Sequence, residues 1–141
     1  MAVHHHEHVV TFGECDPAGV VYFPVYFDWF HQAMESWFHD GLEIAYREAL
    51  ATHGFPAVHT EADFVRPCRM GERLVIELRV GELTGRTFRL EYRVVGPEEK
   101  LRATGATVCA VIEPEEGGFR FRGVALPDFL REKMAKFIES S

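Results

Sequence analysis

Apolar side chains recur at steps of three and four through Phe23, Tyr26, Phe27, Phe30, Met34, Trp37 and Phe38. Asp28, Gln32, Glu35, Ser36 and His39 fill the complementary stripe, which is the period of an amphipathic helix. Trp29 and Ala33 widen the apolar side. So aromatic a helix predicts a sheet curled around it, because most of its circumference has to be taken out of water. Asp40-Gly41 predicts its stop, with Gly41 as a left-handed cap. A second helical stretch is predicted over residues 43–52, ending near His53-Gly54-Phe55-Pro56. The period then changes to two. Strands are predicted over residues 58–66, 73–82, 87–95, 101–112 and 119–124, preceded by a first strand over 8–13. In the third of the five, Phe88, Leu90, Tyr92 and Val94 alternate with Arg89, Glu91 and Arg93, the mark of one dry and one wet face. Residues 106–112 are apolar on both faces and predict an interior strand. Gly96-Pro97 and Glu116-Gly117-Gly118 supply turns, and a final amphipathic helix is predicted over 127–138. One strand, a long helix and then a strand meander make an α+β domain.

Between the first strand and the long helix lies Phe12-Gly13-Glu14-Cys15-Asp16-Pro17-Ala18-Gly19-Val20-Val21-Tyr22-Phe23-Pro24. Pro17 biases Asp16 toward extended backbone, and Gly19 permits a turn. Pro24 lacks an N–H and suits the first turn of a helix, so the residues before it lie near the helix N-terminus. Unpaired amides and a partial positive charge there favour an anion or a polarised carbonyl oxygen. A carboxylate beside such donors is the minimum equipment for attack on an acyl carbon. The same residues also suit a plain Asx-type turn ahead of the helix.

That segment, with its continuation Val25-Tyr26-Phe27-Asp28-Trp29-Phe30, resembles the signature of the hotdog-fold acyl-CoA thioesterases, nearest the pseudomonad-type branch of the 4-hydroxybenzoyl-CoA thioesterases. The strand-rich pattern and Val124-Ala125-Leu126-Pro127 agree, so the resemblance spans nearly the whole chain and implies one hotdog domain over residues 1–141. It implies hydrolysis of an acyl-CoA thioester with Asp16 as catalytic carboxylate, either attacking the thioester carbon or acting as general base on water. The backbone N–H of Phe23 is implied as the donor to the thioester oxygen, with Val21 and Tyr22 close enough to assist. Arg86 and Arg122 match basic residues that grip the CoA phosphates, with Arg89 and Arg120 near enough to substitute. Tyr22, His31, Tyr46 and Phe64 are candidate walls of the acyl pocket, suited to an aromatic acyl group. His31 stands where the hydroxybenzoyl type carries an aspartate. Glu35 is a second candidate carboxylate, because a related branch places its acid on the long helix, and Glu61 and Asp63 are weaker ones. The resemblance implies no cofactor, since CoA is part of the substrate, and a homodimer or homotetramer. The alternatives are a hotdog acyl-CoA hydratase or dehydratase, and a non-catalytic acyl-CoA binder.

Composition narrows this further. A 141-residue chain that is 47% hydrophobic is long and apolar enough for one packed core. A formal charge of −7 argues against broad binding to nucleic acid or an anionic membrane surface, so a polyanionic ligand needs a local basic patch. With no signal-peptide pattern and no membrane-length apolar run, a cytoplasmic location is expected. Cys15, Cys68 and Cys109 are odd in number and lack zinc-site spacing, which predicts reduced thiols, and Cys15 is expected to pack rather than react. His4-His5-His6-Glu7-His8 invites a metal, but neighbouring strand residues point to opposite faces. Surface histidines or the remnant of an added tag are expected instead, and no metal site.

Overall fold

The computed structural model describes residues 2–115, 118 and 120–138. In chain order these form β1 (His4–Val9), a 3-10 turn at Phe12–Glu14, α1 (Val25–Ser36) running into a π turn (Trp37–Gly41), and α2 (Tyr46–Ala49). There follow β2 (Ala57–Phe64), β3 (Arg73–Leu83), β4 (Thr87–Val95), β5 (Leu101–Ala110), β6 (Ile112–Pro114), β7 (Phe121–Gly123) and α3 (Asp128–Ala135). The first five strands make an antiparallel sheet in the order β1-β3-β4-β5-β2, and β6 and β7 pair as a separate hairpin. The expected turn at Glu116-Gly117 and the expected strand start at Phe119 lie outside the described residues. Among the described residues no helix is long and apolar enough to cross a membrane.

The sheet packs α1 against its inner face. Phe88, Leu90, Tyr92 and Val94 are buried as the alternation predicts, as are Leu74, Ile76, Leu78 and Val80 of β3. From the helix, Tyr26, Trp29, Phe30, Ala33 and Met34 enter the same core. Phe30 lies flat on Tyr92, with ring centroids 4.4 Å apart and planes 6° from parallel. Its ring edge also occupies the space over Gly105 of β5, where a Cβ would overlap it. Gly105 therefore sets how closely helix and sheet approach.

The structure differs from the sequence expectation at several places, each for a physical reason. The first strand is His4–Val9, not residues 8–13: the histidines are strand residues in register with β3, and the chain then bends into the 3-10 turn. His4, His6 and His8 point inward. His4 is buried, its Nε2 lies 2.8 Å from Ser36 Oγ, and burial pushes the imidazoles of His4 and His6 below their ordinary value. The polar stripe of α1 is thus partly an interface with β1. Gly41 is not left-handed. Glycine is required there because a Cβ would sit 2.7 Å from Trp37 Cδ1 and 3.1 Å from Phe137 Cζ, and the positive φ falls on Glu43 instead. That φ and the extended Ala45 shorten the second helix to Tyr46–Ala49. The strand expected over 101–112 breaks at Val111, because β4 begins at Thr87 and the amide of Val111 pairs with Arg86 in the turn beyond it.

Enclosure of α1 is also incomplete. Phe23 is 57% exposed, and every described residue of β2 is exposed or half-exposed. The flank of the helix facing β2 stays open within one chain.

Replacing Gly105 by alanine is expected to destabilise the fold by about 1–3 kcal/mol, because the added methyl overpacks against Phe30. Urea unfolding measures the loss, and a midpoint unchanged from the parent would show that the helix rides clear of β5.

Candidate active site

Asp16 lies in a loop closed by its own backbone. Cys15 and Val21 bridge antiparallel, the amide of Asp16 donates to Val20 O (2.9 Å), and Gly19, at φ +82°, donates to Asp16 O (2.9 Å). Gly19 is needed there, since an L side chain at that φ is strained. Ala18 N donates to Asp16 Oδ1 at 2.8 Å, an Asx turn. Oδ2 has no partner among the described residues, so the carboxylate is both a turn element and half free. It lines a groove of about 440 Å³ with Phe12, Cys15, Pro17, Gly19 and Met70. Phe12 is 82% exposed, although most phenylalanines in a chain this size find cover.

The loop is framed by Glu14, which the sequence reading passed over. Its carboxylate accepts from His8 Nε2 (2.8 Å), Thr11 N (2.8 Å) and the indole N–H of Trp29 (2.7 Å). This ties the end of β1 and the 3-10 turn to the middle of α1. Burial alone would raise the Glu14 carboxyl. The bonds from Thr11, Trp29 and His8 outweigh it and hold the group below its ordinary value. A Thr-x-x-Glu capping box, Thr11 to Glu14, was the available sequence signal.

At the helix start the amides are mostly spent. Val21 N donates to Cys68 O (2.9 Å) and Tyr22 N to Glu14 O (3.0 Å), while Val25 N and Tyr26 N donate to Tyr22 O and Phe23 O. The Val21 and Tyr22 amides, expected to assist, are therefore both engaged by backbone carbonyls. The Phe23 amide has no acceptor among the described residues. Tyr22 is itself exposed and packs edge-on to Phe23. Phe64, at the end of β2, meets Tyr26 edge-on at 5.0 Å and Phe23 at 6.5 Å, and these rings line a second groove of about 260 Å³. Asp16 and Phe23 thus line separate grooves rather than one enclosed pocket.

His31 lies further along α1, and Tyr46 opens α2. The His31 ring meets Tyr46 edge-on at 5.9 Å, and its Nδ1 is 3.2 Å from Glu35 Oε1, both side chains being about half exposed. Glu35 is accordingly engaged on the helix surface and away from the helix start. His31 lines a third, mostly apolar cavity of about 270 Å³ with Phe27, Met34, Thr60, Tyr92 and Cys109. Burial pushes the Tyr46 phenol and the Cys109 thiol up to about 12. Glu61 is taken by His59 and Arg89, and Asp63 shares that charged outer face of the sheet.

Arg86 reaches the backbone of β7 beside Arg122. Arg86 Nη1 lies 3.8 Å from the Cβ position of Gly123, next in sequence to Arg122. Arg122 is ion-paired with Glu113, its Nε 2.7 Å from Oε1. Arg131 of α3, not foreseen, donates to Thr84 O in the same β3–β4 turn. Arg89 belongs instead to the outer sheet face, paired with Glu61 and Glu91, and Arg120 is exposed. Among the described residues no group of three or more His, Cys, Asp or Glu is placed to hold a metal.

Replacing Glu14 by Gln is expected to cost about 1–3 kcal/mol, since the Trp29 and Thr11 donors lose a charged acceptor. The sign with pH follows from the lowered folded value. The stabilisation is complete above the ordinary 4.5 and is lost as pH falls through the folded value. Unfolding curves between pH 7 and 3 should therefore converge for parent and E14Q at the acid end.

Comparison with known proteins places these features in a family. The chain matches the thioesterase-like superfamily over residues 10–134. It is 35% identical over 118 residues to the 1,4-dihydroxy-2-naphthoyl-CoA hydrolase of Synechococcus elongatus, covering 82% of this chain and 85% of that one. A 1,4-dihydroxy-2-naphthoyl-CoA thioesterase from Synechocystis superposes with a TM-score of 0.84 at 25% identity, over 95% of this chain and 96% of the other. A 4-hydroxybenzoyl-CoA thioesterase mutant, solved with 4-hydroxybenzoyl-CoA, shares the fold with a TM-score of 0.83 at 24% identity, over 94% and 98%. The chain belongs to the thioesterase-like superfamily, with the hotdog fold and a thioester hydrolase's activity.

Proposed function

We propose that this thioester hydrolase acts on an aromatic acyl-CoA, releasing the free acid and CoA, with Asp16 as the reacting carboxylate. The observation that carries the reading is the Asp16 loop itself. One oxygen is fixed by the Ala18 amide and the other has no partner among the described residues, and the amide of Phe23, just ahead of a twelve-residue helix, likewise has no acceptor among them. As base, Asp16 takes a proton from a water that attacks the thioester carbon. As nucleophile it forms a mixed anhydride that water then opens. Either way negative charge gathers on the thioester oxygen, where the Phe23 amide and the positive end of α1 stabilise it. The thiolate of CoA leaves without a strong general acid. An aromatic acyl group fits the exposed Phe12 and Met70 beside the carboxylate, and the named relatives act on dihydroxynaphthoyl-CoA or 4-hydroxybenzoyl-CoA.

The corner of Arg86, Arg122 and Arg131 is the proposed grip on the CoA phosphates. It lies at the end of β3 opposite the one that supports the Asp16 loop, and eleven strand residues span about 35 Å. One thioester does not bridge that span within a chain. A homodimer or homotetramer is therefore part of the proposal, with arginines from one copy serving the carboxylate of another. The open edge of β2, with Val58 and Phe64 exposed, is the kind of edge that sheets close by pairing.

D16N should fold as the parent does and bind CoA esters while losing at least about a hundredfold in kcat. The assay is thiol release from benzoyl, hydroxybenzoyl, phenylacetyl, dihydroxynaphthoyl and aliphatic thioesters, and undiminished turnover would remove Asp16 from the chemistry. R86A/R122A should instead raise KM about tenfold with kcat little changed, an effect that shrinks in high salt as screening weakens the phosphate contact in the parent. A fall confined to kcat would place those arginines elsewhere in the reaction.

A further inference from the structure

We propose that the ion pair of the buried Arg102 with the half-buried Glu72 is a positioning device for the Asp16 loop, holding it from behind through the segment 67–72. The inference rests on Asp16 serving the hydrolysis. Arg102 projects from β5 and is 8% exposed. Its guanidinium grips Glu72 with both prongs, Nη1 to Oε1 and Nη2 to Oε2 at 2.8 Å each, and Nη1 also donates to Pro67 O at 2.9 Å. Glu72 Oε1 in turn accepts from Arg69 N at 2.6 Å. One fork thus pins both ends and the middle of a six-residue loop that has no regular secondary structure.

That loop is the rear wall of the site. Cys68 O takes the Val21 amide, and Arg69 bridges antiparallel to Val20. Val20 O takes the Asp16 amide, and Val21 bridges to Cys15. On the far side, Gly71 N and Glu72 O hold Val10, just before the 3-10 turn. The fully buried Cys68 lies against Tyr26 in the first turn of α1, whose phenol is raised by burial and by that thiol. The contacts of Cys68 and Arg69 thus join the backbone around Asp16 to a segment that Arg102 and Glu72 hold at Pro67, Arg69 and Glu72. A charged pair replaced by apolar groups of similar volume is often neutral for stability. The geometry here gives this pair a second task, the orientation of Asp16 against the Phe23 amide.

The test uses the full chain and the double variant E72M/R102M, which keeps the volume but frees Pro67 O and Arg69 N. The expected result is a cooperatively folded protein whose kcat falls at least about tenfold while KM, and the Kd of coenzyme A measured calorimetrically, stay within about threefold, since small misplacements of a reacting group are costly in rate. A folded double variant with kcat within twofold of the parent would overturn the proposal. Should the double variant fail to fold, R102K decides: lysine keeps the charge but cannot make the fork and the Pro67 bond together, so kcat should still fall with KM held, and a parental kcat overturns the proposal. D16N, run alongside, separates the two readings. Full activity in D16N defeats the assignment of the site itself, whereas an inactive D16N beside parental clamp variants defeats only the positioning role.

Discussion

The Glu14 carboxylate is the joint on which the arrangement turns. A buried acid is costly unless every lone pair it turns inward meets a donor. Glu14 meets three, from an imidazole at the end of β1, a backbone amide in the bend and an indole in the middle of α1. Its own carbonyl takes the amide of Tyr22, the last residue but two before α1. Strand, bend and helix are therefore fixed to one residue. The seven residues between Cys15 and Val21 have little freedom left once both of their ends are set.

Much of the fold was legible because it rests on local period. The alternation through Phe88–Val94 and the three-four spacing of α1 follow from burying one face of a regular element, and both survive in the structure. What could not be read is long-range. The strand character of His4–Val9 comes from its register against β3, some seventy residues away, and imidazoles at alternate positions carry no apolar signal of it. Gly41 looked like a left-handed cap, but it is demanded by the Trp37 and Phe137 rings, a close approach that only the folded chain defines. Within the site, Asp16, Gly19 and Pro24 declared themselves by local turn chemistry. Glu14, Glu72 and Arg102 did not, because charged residues are ordinarily solvated and their partners here are brought together by the sheet.

The open flank between α1 and β2 changes how the aromatic helix should be understood. Its stripe is broader than one chain can cover: Trp29, Phe30 and Met34 are sealed against the sheet, while Phe23 and the neighbouring Phe64 stay wet. Exposed rings beside an unpaired strand edge mark surface meant to be covered. A groove and a cavity lie along this side, from the helix start to His31. Chain folding and substrate enclosure are thus separable demands on the same helix, and the sequence, which shows only the sum of apolar positions, does not divide them.

The Asx turn and the catalytic role looked like rivals when only the sequence was in view, yet in the proposed reaction one serves the other. A free aspartate samples several rotamers, and a reacting carboxylate pays for that freedom in rate. Anchoring Oδ1 on the Ala18 amide removes the freedom while leaving Oδ2 open. The anchoring amide costs no additional side chain. The proposed electrophilic partner is likewise backbone, the Phe23 amide, which has no acceptor among the described residues. Because a thiolate needs little help to depart, a single carboxylate and a single amide suffice for the chemistry. That economy is why no triad stands out in the chain, and why so much of the polar design, from Glu14 to the Arg102–Glu72 fork, lies behind the loop.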